Sequence, residues 1–361
     1  MNQSTSVIAP SPASQLNSAR TADRYVRQER FFPIGREGQR RLATTHVVQV
    51  GCGALGSASA ELLTRAGIGR LTLIDRDYVE LHNLQRQSLF SEEDVAEHVP
   101  KAAAAARRLE AINGEVEIRP EITDLHAGNA ERLLADADII LDGTDNFETR
   151  YLINDVAVKF GIPWVYGGVI ASGGSTMTIR PEETPCLRCV FPDPPEPGSV
   201  PTCDTAGVIG PAVQIVAAIQ AAEAMKLAVG DLAATNQALL SFDVWPLDAQ
   251  RVPLPPRDPE CPTCGQRQFS FLESVRPSQT TQLCGHDAVQ VLVSPAPALN
   301  LEALADRLRP LGKVLVNRFL LRFDDPVTGR QLTVFPDGRA IVQGTTDATE
   351  ARSLYAKYIG A

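Results

Sequence analysis

The sequence has few residues of the kinds that several protein classes need in quantity. Basic residues number 34 against 43 acidic ones, which gives a formal net charge of −9. Because a surface that binds phosphate backbones must be basic, this balance argues against a nucleic-acid partner. An uninterrupted apolar run of membrane-spanning length, about 20 residues, is also missing, so we expect no membrane partner. The five histidines show neither metal-ligand nor catalytic-triad spacing.

Cysteine usage points away from a disulfide-bonded, secreted protein. The chain has 361 residues and seven cysteines, an odd number in a chain long enough for a well-buried core. Residues 1–22 lack the basic and apolar blocks of a signal peptide, and their Ser-, Ala- and Pro-rich composition is typical of a disordered tail. Four cysteines form two C-x-x-C pairs, which favour metal binding in a reducing cytoplasm. We therefore expect a cytoplasmic location.

Short apolar segments alternate with helical segments through the first half of the chain. The run His46–Val50 predicts a strand, residues 57–66 a helix and residues 71–75 a second strand. The further predicted elements are helices over 101–113, 130–135 and 149–160 and strands over 115–118, 139–142 and 163–166. This alternation predicts an α/β fold with a Rossmann-like, mainly parallel sheet covered on both faces.

The second half is less regular. We predict a strand over 176–180, a proline-dense crossover loop over 191–201 and a long Ala-rich helix over 211–229. A second proline-rich stretch, over 246–262, leads into the last cysteine pair.

The residues beyond about 274 follow a different pattern, which predicts a small α+β domain with the order βαβββα. Asp337-Gly338 is a strong turn signal between two of its strands. The predicted elements are a strand over 289–293, a helix over 301–308, a strand over 314–323, a hairpin over 331–335 and 340–342, and a helix over 348–358. The chain thus divides into a tail (1–22), a main domain (23–274) and a small domain (275–361).

A glycine-rich turn joins the first predicted strand to the first helix of the βαβ unit. Its special positions are Gly51, Gly53, Ala54 and Gly56. Glycines allow a tight turn and close backbone approach, and the helix N-terminus offers N–H groups to phosphate. Asp75 ends the next strand, where a carboxylate can accept hydrogen bonds from ribose hydroxyls. The motif indicates a nucleotide without saying which one, and a glycine turn without a ligand is the alternative.

The loop after Asp75 is rich in polar and charged residues. A nicotinamide ring needs an apolar slot, whereas Arg86 and the later Lys101 suit the concentrated charge of a triphosphate. A solvated polar loop is the alternative interpretation.

Asp142–Asn146 follows another strand at the carboxyl edge of the same predicted sheet, where open α/β sheets bind ligands. A carboxylate there, Asp145 among them, could hold a Mg²⁺ ion that bridges phosphate oxygens. Because Asp and Asn are also favoured helix N-caps, the residue types leave both interpretations open.

The two C-x-x-C pairs predict a tetrahedral, structural Zn²⁺ site with the ligands Cys186, Cys189, Cys261 and Cys264. About 70 residues separate the pairs, so the metal would join distant segments of one domain rather than form a zinc finger. Cys203 belongs to neither pair and lies on the proline-rich crossover, which suits a nucleophile that must reach an activated acyl group. A small buried residue is the alternative. We interpret Cys52 and Cys284 as packing or surface thiols.

Several of these stretches together resemble one family. They are RYVRQ, GCGALGS, LTLIDRDYVELHNLQRQ, the pair Pro100-Lys101, LDGTDNFETRYLIND, TPCLRC, TCDTAGVIGP and CPTCG. The sequence from about Asp23 to Leu272 is similar to the E1-like adenylyltransferases (ThiF/MoeB/HesA) that activate sulphur carriers for thiamine and molybdopterin synthesis, relatives of the ubiquitin-activating enzymes. The departures are Ala54, where many relatives have glycine, and the end Gly360-Ala361, which is not the Gly-Gly terminus of a fused carrier. The last 87 residues show no rhodanese-like cysteine loop.

The resemblance implies a role for each matching residue. Asp75 would hold the ribose, Asn83, Arg86 and Lys101 would contact the phosphates, and Asp145 would coordinate Mg²⁺. Arg27 would reach the nucleotide of a second protomer, which implies a homodimer. The four paired cysteines would bind zinc. Cys203 would link covalently to the carrier in thiamine-type members.

The resemblance therefore implies ATP-dependent adenylation of the C-terminal glycine of a ubiquitin-fold sulphur carrier (ThiS- or MoaD-like), ahead of sulphur transfer from a possible donor protein. Residues 23–274 would be the ATP-binding adenylation domain, and residues 275–361 have no assigned role. The alternatives are activation of another ubiquitin-like modifier or peptide terminus, a non-catalytic scaffold, and, more distantly, an NAD-dependent oxidoreductase.

Overall fold

The structure, a computed structural model, describes residues 23–195, 203–274, 280–282, 287–292 and 299–360, with backbone alone at 203–204 and 280–282. The predicted tail (1–22) and Cys284 lie outside the described residues. The described residues form two units, one within 23–195 and 208–272 and the other within 203–207 and 273–360.

The first unit is built on an eight-stranded sheet. Its strands are β1 (His46–Val50), β2 (Arg70–Ile74), β3 (Glu117–Glu121), β4 (Ile139–Asp142), β5 (Trp164–Ile170), β6 (Gly173–Ile179), β7 (Ala238–Asp243) and β8 (Asp248–Pro253). The spatial order is β3-β2-β1-β4-β5-β6-β7-β8. Strands β1 to β5 pair in parallel and β5 to β8 pair antiparallel. The predicted mainly parallel, Rossmann-like sheet is confirmed.

Helices cover both faces of this sheet because its central strands are apolar on both sides. They are α1 (residues 23–29), α2 (Gly35–Leu42), α3 (Ala54–Ala66), α4 (Glu92–Ala96), α5 (Lys101–Ile112), α6 (Ala130–Leu134), α7 (Phe147–Phe160), α8 (Leu187–Val190) and α10 (Gly210–Val229), with 3₁₀ turns at Leu81–Asn83 and Leu232–Ala234. Val47 of β1 packs with α3, α5 and α10, while Val48 packs with α6 and α7. Adjacent β residues therefore serve two separate cores.

One described helix, α10, is apolar and long enough to cross a bilayer by length and composition. In the structure its residues Val213, Val216 and Ala217 pack against Leu55 and Ala58 of α3. It begins with Pro211 in its first turn and ends at Gly230 with a left-handed φ of 83°. Among the described residues it is a core helix of the first unit.

The sequence did not predict the antiparallel hairpin of β7 and β8. The stretch over 246–262 is rich in proline, which usually argues against a strand. Strand β8 lies at the edge of the sheet, is exposed along its whole length and ends at Pro253. An edge strand tolerates proline because one row of its N–H groups has no ladder partner.

The second unit is an antiparallel sheet packed against two helices, with α9 (Cys203–Ala206) preceding it in the chain. Its further elements are β9 (Thr280–Gln282), β10 (Ala288–Val291), α11 (Leu301–Leu308), β11 (Lys313–Val316), β12 (Leu321–Asp324), β13 (Gln331–Val334), β14 (Ala340–Gln343) and α12 (Ala348–Tyr358). The strand order is β11-β12-β13-β14-β10-β9. The core includes Val289, Leu304, Phe323 and Tyr355.

The predicted order βαβββα for this unit is wrong in two places. The single strand expected over 314–323 is a hairpin of β11 and β12, and the described residues add β9 at the sheet edge. The break occurs because the Asn317 side-chain oxygen accepts hydrogen bonds from the N–H groups of Phe319 and Leu320, at 2.8 and 2.9 Å. Such an Asx turn reverses the chain without glycine or proline.

Candidate nucleotide-binding and metal-binding sites

The glycine-rich turn lies between β1 and α3, and two of its glycines are required by the protein's own packing. Gly51 has φ +85°, and a Cβ there would lie 2.6 Å from the Gly143 carbonyl oxygen. A Cβ on Gly56 would lie 1.8 Å from the Gly51 carbonyl oxygen. Both positions bring backbone so close to backbone that only glycine fits.

Gly53 differs from these two glycines. A Cβ there would meet only the Gln87 Nε2, at 3.9 Å, so no atom of the described chain requires a glycine. Helix α3 begins at the next residue, Ala54, with no side chain capping it. The turn therefore presents uncapped N–H groups at a helix N-terminus beside open space, which is the arrangement that accepts a phosphate.

Asp75 follows β2 at the carboxyl edge of the sheet, beside the turn. Its two carboxylate oxygens accept hydrogen bonds from the Cys52 and Asp77 N–H groups, both at 2.7 Å. Burial raises the pKa of Asp75 from 3.8 to about 6, and the Lys101 ammonium opposes this shift. Asp75 is thus held rigidly and ionises at a higher pH than an exposed carboxyl group.

Lys101 is the first residue of α5, and the structure brings it to the same edge. It is 8% exposed, and its Nζ donates to Asp77 Oδ2 at 3.1 Å. Burial opposes its charge, but the carboxylates of Asp77, Asp75 and Asp145 raise its pKa above the ordinary value. Arg76 lies beside it and donates to Asp124 Oδ2 at 2.9 Å. The edge therefore holds fixed cations among carboxylates.

Asn83 and Arg86 lie on the loop whose next residue, Gln87, is the side chain nearest to Gly53. Asn83 is 3% exposed, and its Oδ1 accepts a hydrogen bond from the Glu80 N–H at 3.1 Å, which shapes the loop. Arg86 is half-buried, donates to the His82 carbonyl at 3.0 Å and forms no ion pair with any residue that the structure describes. Its charge is therefore available to an anionic ligand.

The loop after β4 carries Asp145, for which the sequence left two roles open. The helix N-cap is the next residue, Asn146, whose side chain accepts a hydrogen bond from the Thr149 N–H at 2.8 Å. Asp145 is exposed and makes no hydrogen bond or ion pair within the described chain. Its charge nevertheless acts on Lys101, Arg76 and Arg150. An exposed carboxylate among fixed cations can take a metal ion that is itself held by phosphates.

Asp142 and Arg150 form a buried ion pair that was not predicted from the sequence. Arg150 Nε donates to Asp142 Oδ2 at 3.1 Å, and the two side chains are 8% and 0% exposed. Arg150 Nη2 also donates to the carbonyls of Thr144 and Gly167, at 2.8 and 3.1 Å. An arginine four residues after the Asn146 cap, on the side of α7 that packs on the sheet, was the available signal. The pair fixes the loop that carries Asp145.

Arg27 is exposed and lies far from the turn of its own chain. Helix α1 is fastened to the C-terminal end of α3, where Gln28 Nε2 donates to the Ala66 carbonyl at 2.9 Å. The turn lies at the opposite end of α3, about 20 Å away at 1.5 Å per residue. The structure therefore does not bring Arg27 to the other predicted nucleotide-site residues of the same chain.

The four paired cysteines converge on one point although 75 residues separate Cys186 from Cys261. Their sulphur atoms all lie within 4.8 Å of one another. The Cys186–Cys261, Cys189–Cys264 and Cys186–Cys189 separations are 3.6, 3.4 and 3.9 Å. Four thiolates at 2.3 Å from a tetrahedral zinc ion would lie about 3.8 Å apart. The cluster thus fits a tetrahedral metal ion, as the sequence predicted.

The cysteine cluster offers sulphur ligands only and is largely buried, with Cys186, Cys261 and Cys264 at 1%, 2% and 3% exposure. Burial raises the pKa of Cys264 to about 11, whereas the hydrogen bond from Cys186 lowers the pKa of Cys189 to about 5. A divalent cation would stabilise all four thiolates together. Cys203 begins the short helix α9, but its side chain lies outside the described residues. Cys52 is buried, as expected of a packing thiol.

Comparisons with known proteins agree with this geometry. Residues 25–263 match the ThiF family. The sulfur carrier protein ThiS adenylyltransferase of Bacillus subtilis is 46% identical over 341 residues, which cover 93% of this chain and 99% of the relative. The SAMP-activating enzyme E1 of Haloferax volcanii is 40% identical over 253 residues, 70% of this chain and 92% of that protein.

Among solved structures, E. coli MccB with AMPCPP and MccA matches 63% of this chain and 69% of its own, with a TM-score of 0.56 at 24% identity, which shows a shared fold. The Bacillus subtilis match is longer than the family segment, so it includes part of the second unit as well. The chain belongs to the ThiF family of E1-like sulphur-carrier adenylyltransferases.

Proposed function

We propose that the protein adenylates the C-terminal glycine carboxylate of a small ubiquitin-fold sulphur carrier with ATP, releasing pyrophosphate. The observation that carries this proposal is the arrangement at the carboxyl edge of β1, β2 and β4. There the uncapped helix N-terminus at Gly53 lies at the same edge as the buried Lys101 and the exposed Asp145. The 46% identity to an adenylyltransferase that acts on ThiS supports the carrier as substrate. Membership of the ThiF family argues against the alternative of an NAD-dependent oxidoreductase.

The residues at this edge supply binding and charge rather than proton transfer. Asp75 accepts hydrogen bonds from the ribose hydroxyls. The N–H groups at Gly53, together with Arg86 and Lys101, hold the phosphates. Asn83 shapes the loop that carries Arg86. Asp145 would hold Mg²⁺, which would neutralise charge on the leaving pyrophosphate.

The carrier's carboxylate, already ionised, attacks the α-phosphate, so the reaction needs no general base. The rate enhancement then comes from alignment and charge neutralisation.

The position of Arg27 supports a homodimer in which each site takes this arginine from the partner. Its helix also leads into Phe31 and Phe32, which are 61% and 95% exposed, an apolar surface that a second copy of the chain would cover. Mixing Arg27→Ala with Asp145→Ala protein tests the idea, because each heterodimer would contain one complete site. Two inactive proteins should then regain about a quarter of wild-type activity after subunit exchange. No recovery in demonstrated heterodimers would show that Arg27 does not act across the interface.

The cysteine cluster is proposed as a structural zinc site, since its four sulphurs leave no ligand position for a substrate. Cys203 is proposed as the thiol that links to the activated carrier during sulphur transfer. Cys203→Ser should therefore still adenylate the carrier but fail to pass it sulphur. Unchanged thiocarboxylate formation by that variant would show that sulphur reaches the acyl-adenylate directly. We place the reaction in the cytoplasm.

The decisive experiment offers candidate carriers to the purified protein with ATP and Mg²⁺ and follows the carrier by intact-mass measurement. The correct carrier should gain the mass of one AMP, and the same carrier without its terminal glycine should not. Asp145→Ala protein is the matched control for enzyme-dependent modification. If thiamine-type and molybdopterin-type carriers both stay unmodified while another ubiquitin-like modifier is adenylated, that modifier, the second candidate, is the substrate. That candidate is favoured by the 40% identity to a SAMP-activating enzyme.

A further inference from the structure

Helix α7 connects the two sites of the first unit through consecutive polar residues, Asn154 and Asp155. Both are fully buried, at 0% exposure. Asn154 Oδ1 accepts a hydrogen bond at 2.9 Å from the N–H of Leu187, which lies between Cys186 and Cys189. Asp155 Oδ1 accepts one at 3.2 Å from the hydroxyl of Thr263. Each C-x-x-C loop is thus held by its own residue of the same helix.

Asp155 has a second set of contacts with the cysteine-bearing segment. Its other oxygen accepts hydrogen bonds from the N–H groups of Phe271 and Leu272, at 2.9 and 3.3 Å. It forms no ion pair with any residue in the described part of the chain, and the Asn154 Nδ2 is buried without a partner. Burying an unpaired carboxylate and a half-satisfied amide costs stability that apolar residues would not cost. We therefore infer that Asn154 and Asp155 position the cysteine loops rather than stabilise the fold.

The first turn of α7 carries the nucleotide-site contacts. Arg150 lies one helical turn, about 6 Å, before Asn154. Its guanidinium holds both Asp142 and the carbonyl of Thr144, the residue that precedes Asp145. A rigid helix thus runs from the two cysteine loops to the loop of the exposed carboxylate.

We propose that Asn154 and Asp155 are positioning residues through which the metal-bound cysteine loops set the place of Asp145, and hence the affinity for Mg²⁺ and ATP. The inference rests on the proposed role of Asp145. A shift of the cysteine loops moves α7 along its axis, and Arg150 passes the movement to Thr144 and Asp145. The cluster is then a part of the nucleotide site as well as a staple.

Two variants test this link, with a third as control. Thr263→Val removes one hydrogen bond to Asp155 and keeps the side-chain shape, and Asp155→Asn turns one acceptor into a donor. Arg257→Met removes the bond from Arg257 Nη2 to the Cys264 carbonyl, at 2.7 Å, which supports the same cysteine loop from the exposed side and not through α7. All three proteins are compared fully loaded with Zn²⁺, by metal analysis.

Calorimetry without any carrier then measures the affinities for Mg·ATP and for adenosine, which needs no Mg²⁺. We expect Thr263→Val and Asp155→Asn to bind Mg·ATP on the order of tenfold more weakly and adenosine as well as wild type does. All three variants should release zinc to a chelator faster, but Arg257→Met should keep wild-type Mg·ATP affinity. Wild-type Mg·ATP affinity in Thr263→Val, an equal loss in Arg257→Met, or full Mg·ATP affinity in zinc-stripped wild-type protein would each overturn the proposal. Because no carrier is present, failure of the adenylation reaction leaves this test intact.

Discussion

The nucleotide edge and the cysteine cluster are both polar sites contacted by α7, yet they are built in opposite ways. At the edge, Asp145 is exposed, Arg86 has no ion-pair partner among the described residues, and Gly53 faces open space. In the cluster, four sulphurs contact one another and three of the four cysteines are buried. The edge thus has charged and N–H groups available to a ligand, whereas a single metal ion would satisfy all four ligands of the cluster.

The difference follows from what each site must do in one turnover. A substrate has to arrive and leave, so its site must remain solvated and partly charged when empty. A structural ion stays for the life of the protein, and burial of its ligands slows its loss. Removing a ligand from the cluster should therefore damage the fold, whereas removing one from the edge should damage only the reaction.

The largest expected effect is loss of the metal-bound fold on Cys261→Ser. Structural zinc contributes roughly 10 kcal/mol in small peptide sites, and losing even part of that stabilisation should lower Tm by more than about 10 °C in a domain of this size. Metal analysis and thermal unfolding, each with and without a chelator, check the prediction. Cys52→Ser, at a buried cysteine outside the cluster, is the control and should keep its metal. A metal-free Cys261→Ser protein with wild-type Tm would show that the cluster does not support the fold.

The next effect should appear in catalysis alone. Asp145→Ala should lower carrier-dependent exchange of pyrophosphate into ATP by about 10³-fold, because the proposed Mg²⁺ ligand and its charge stabilisation of the transition state would be lost. Its Tm and metal content should stay at the wild-type values. Asp136→Ala, which removes an exposed carboxylate from the opposite end of β4, is the matched control and should exchange normally. Normal exchange in Asp145→Ala would remove this carboxylate from the mechanism.

The smallest expected effect is a pH dependence of nucleoside binding at Asp75. Burial raises the pKa of this carboxyl group from 3.8 to about 6, so the empty site favours the protonated form below that pH. In the proposed site ribose hydroxyls donate to the ionised form, so the affinity should be complete only at a pH well above 6. It should fall by up to about tenfold per pH unit as the pH drops through 6. Adenosine is the proper probe because it carries no phosphate of its own to titrate.

Asp75→Asn is the control for this measurement. The variant should bind adenosine more weakly at pH 7 and with little dependence on pH. A wild-type protein whose adenosine affinity is flat between pH 5 and pH 7 would show that Asp75 does not contact the ribose.

Features encoded by neighbouring residues could be predicted from the sequence. Strands β1 and β2, the turn from Gly51 to Gly56 and the long helix α10 all follow from local periodicity and glycine spacing. The cysteine cluster could be predicted because thiol pairs with this spacing have few other uses. The hairpin at Asn317 was missed because an Asx turn inside an apolar run leaves a weak local signal.

The contacts that join the two sites could not be predicted in the same way. Asp155 accepts hydrogen bonds from Thr263, which is 108 residues away in the sequence, and from Phe271, which is 116 residues away. No periodicity links positions so far apart. The ion pair between Arg150 and Asp142 could not be predicted either, although both residues lie within the motif LDGTDNFETRYLIND. Which polar residues of a helix face inward becomes evident only once the sheet and the cysteine loops are in place.

The empty space beside Gly53 gives a means of capturing the protein's partner. With φ at −71°, a methyl group at this position requires no left-handed backbone and touches no described atom closer than 3.9 Å. It would nevertheless occupy the volume that a phosphate needs. We expect Gly53→Ala to be a folded protein that docks a carrier and cannot modify it, so carriers from a cell extract would accumulate on it instead of turning over.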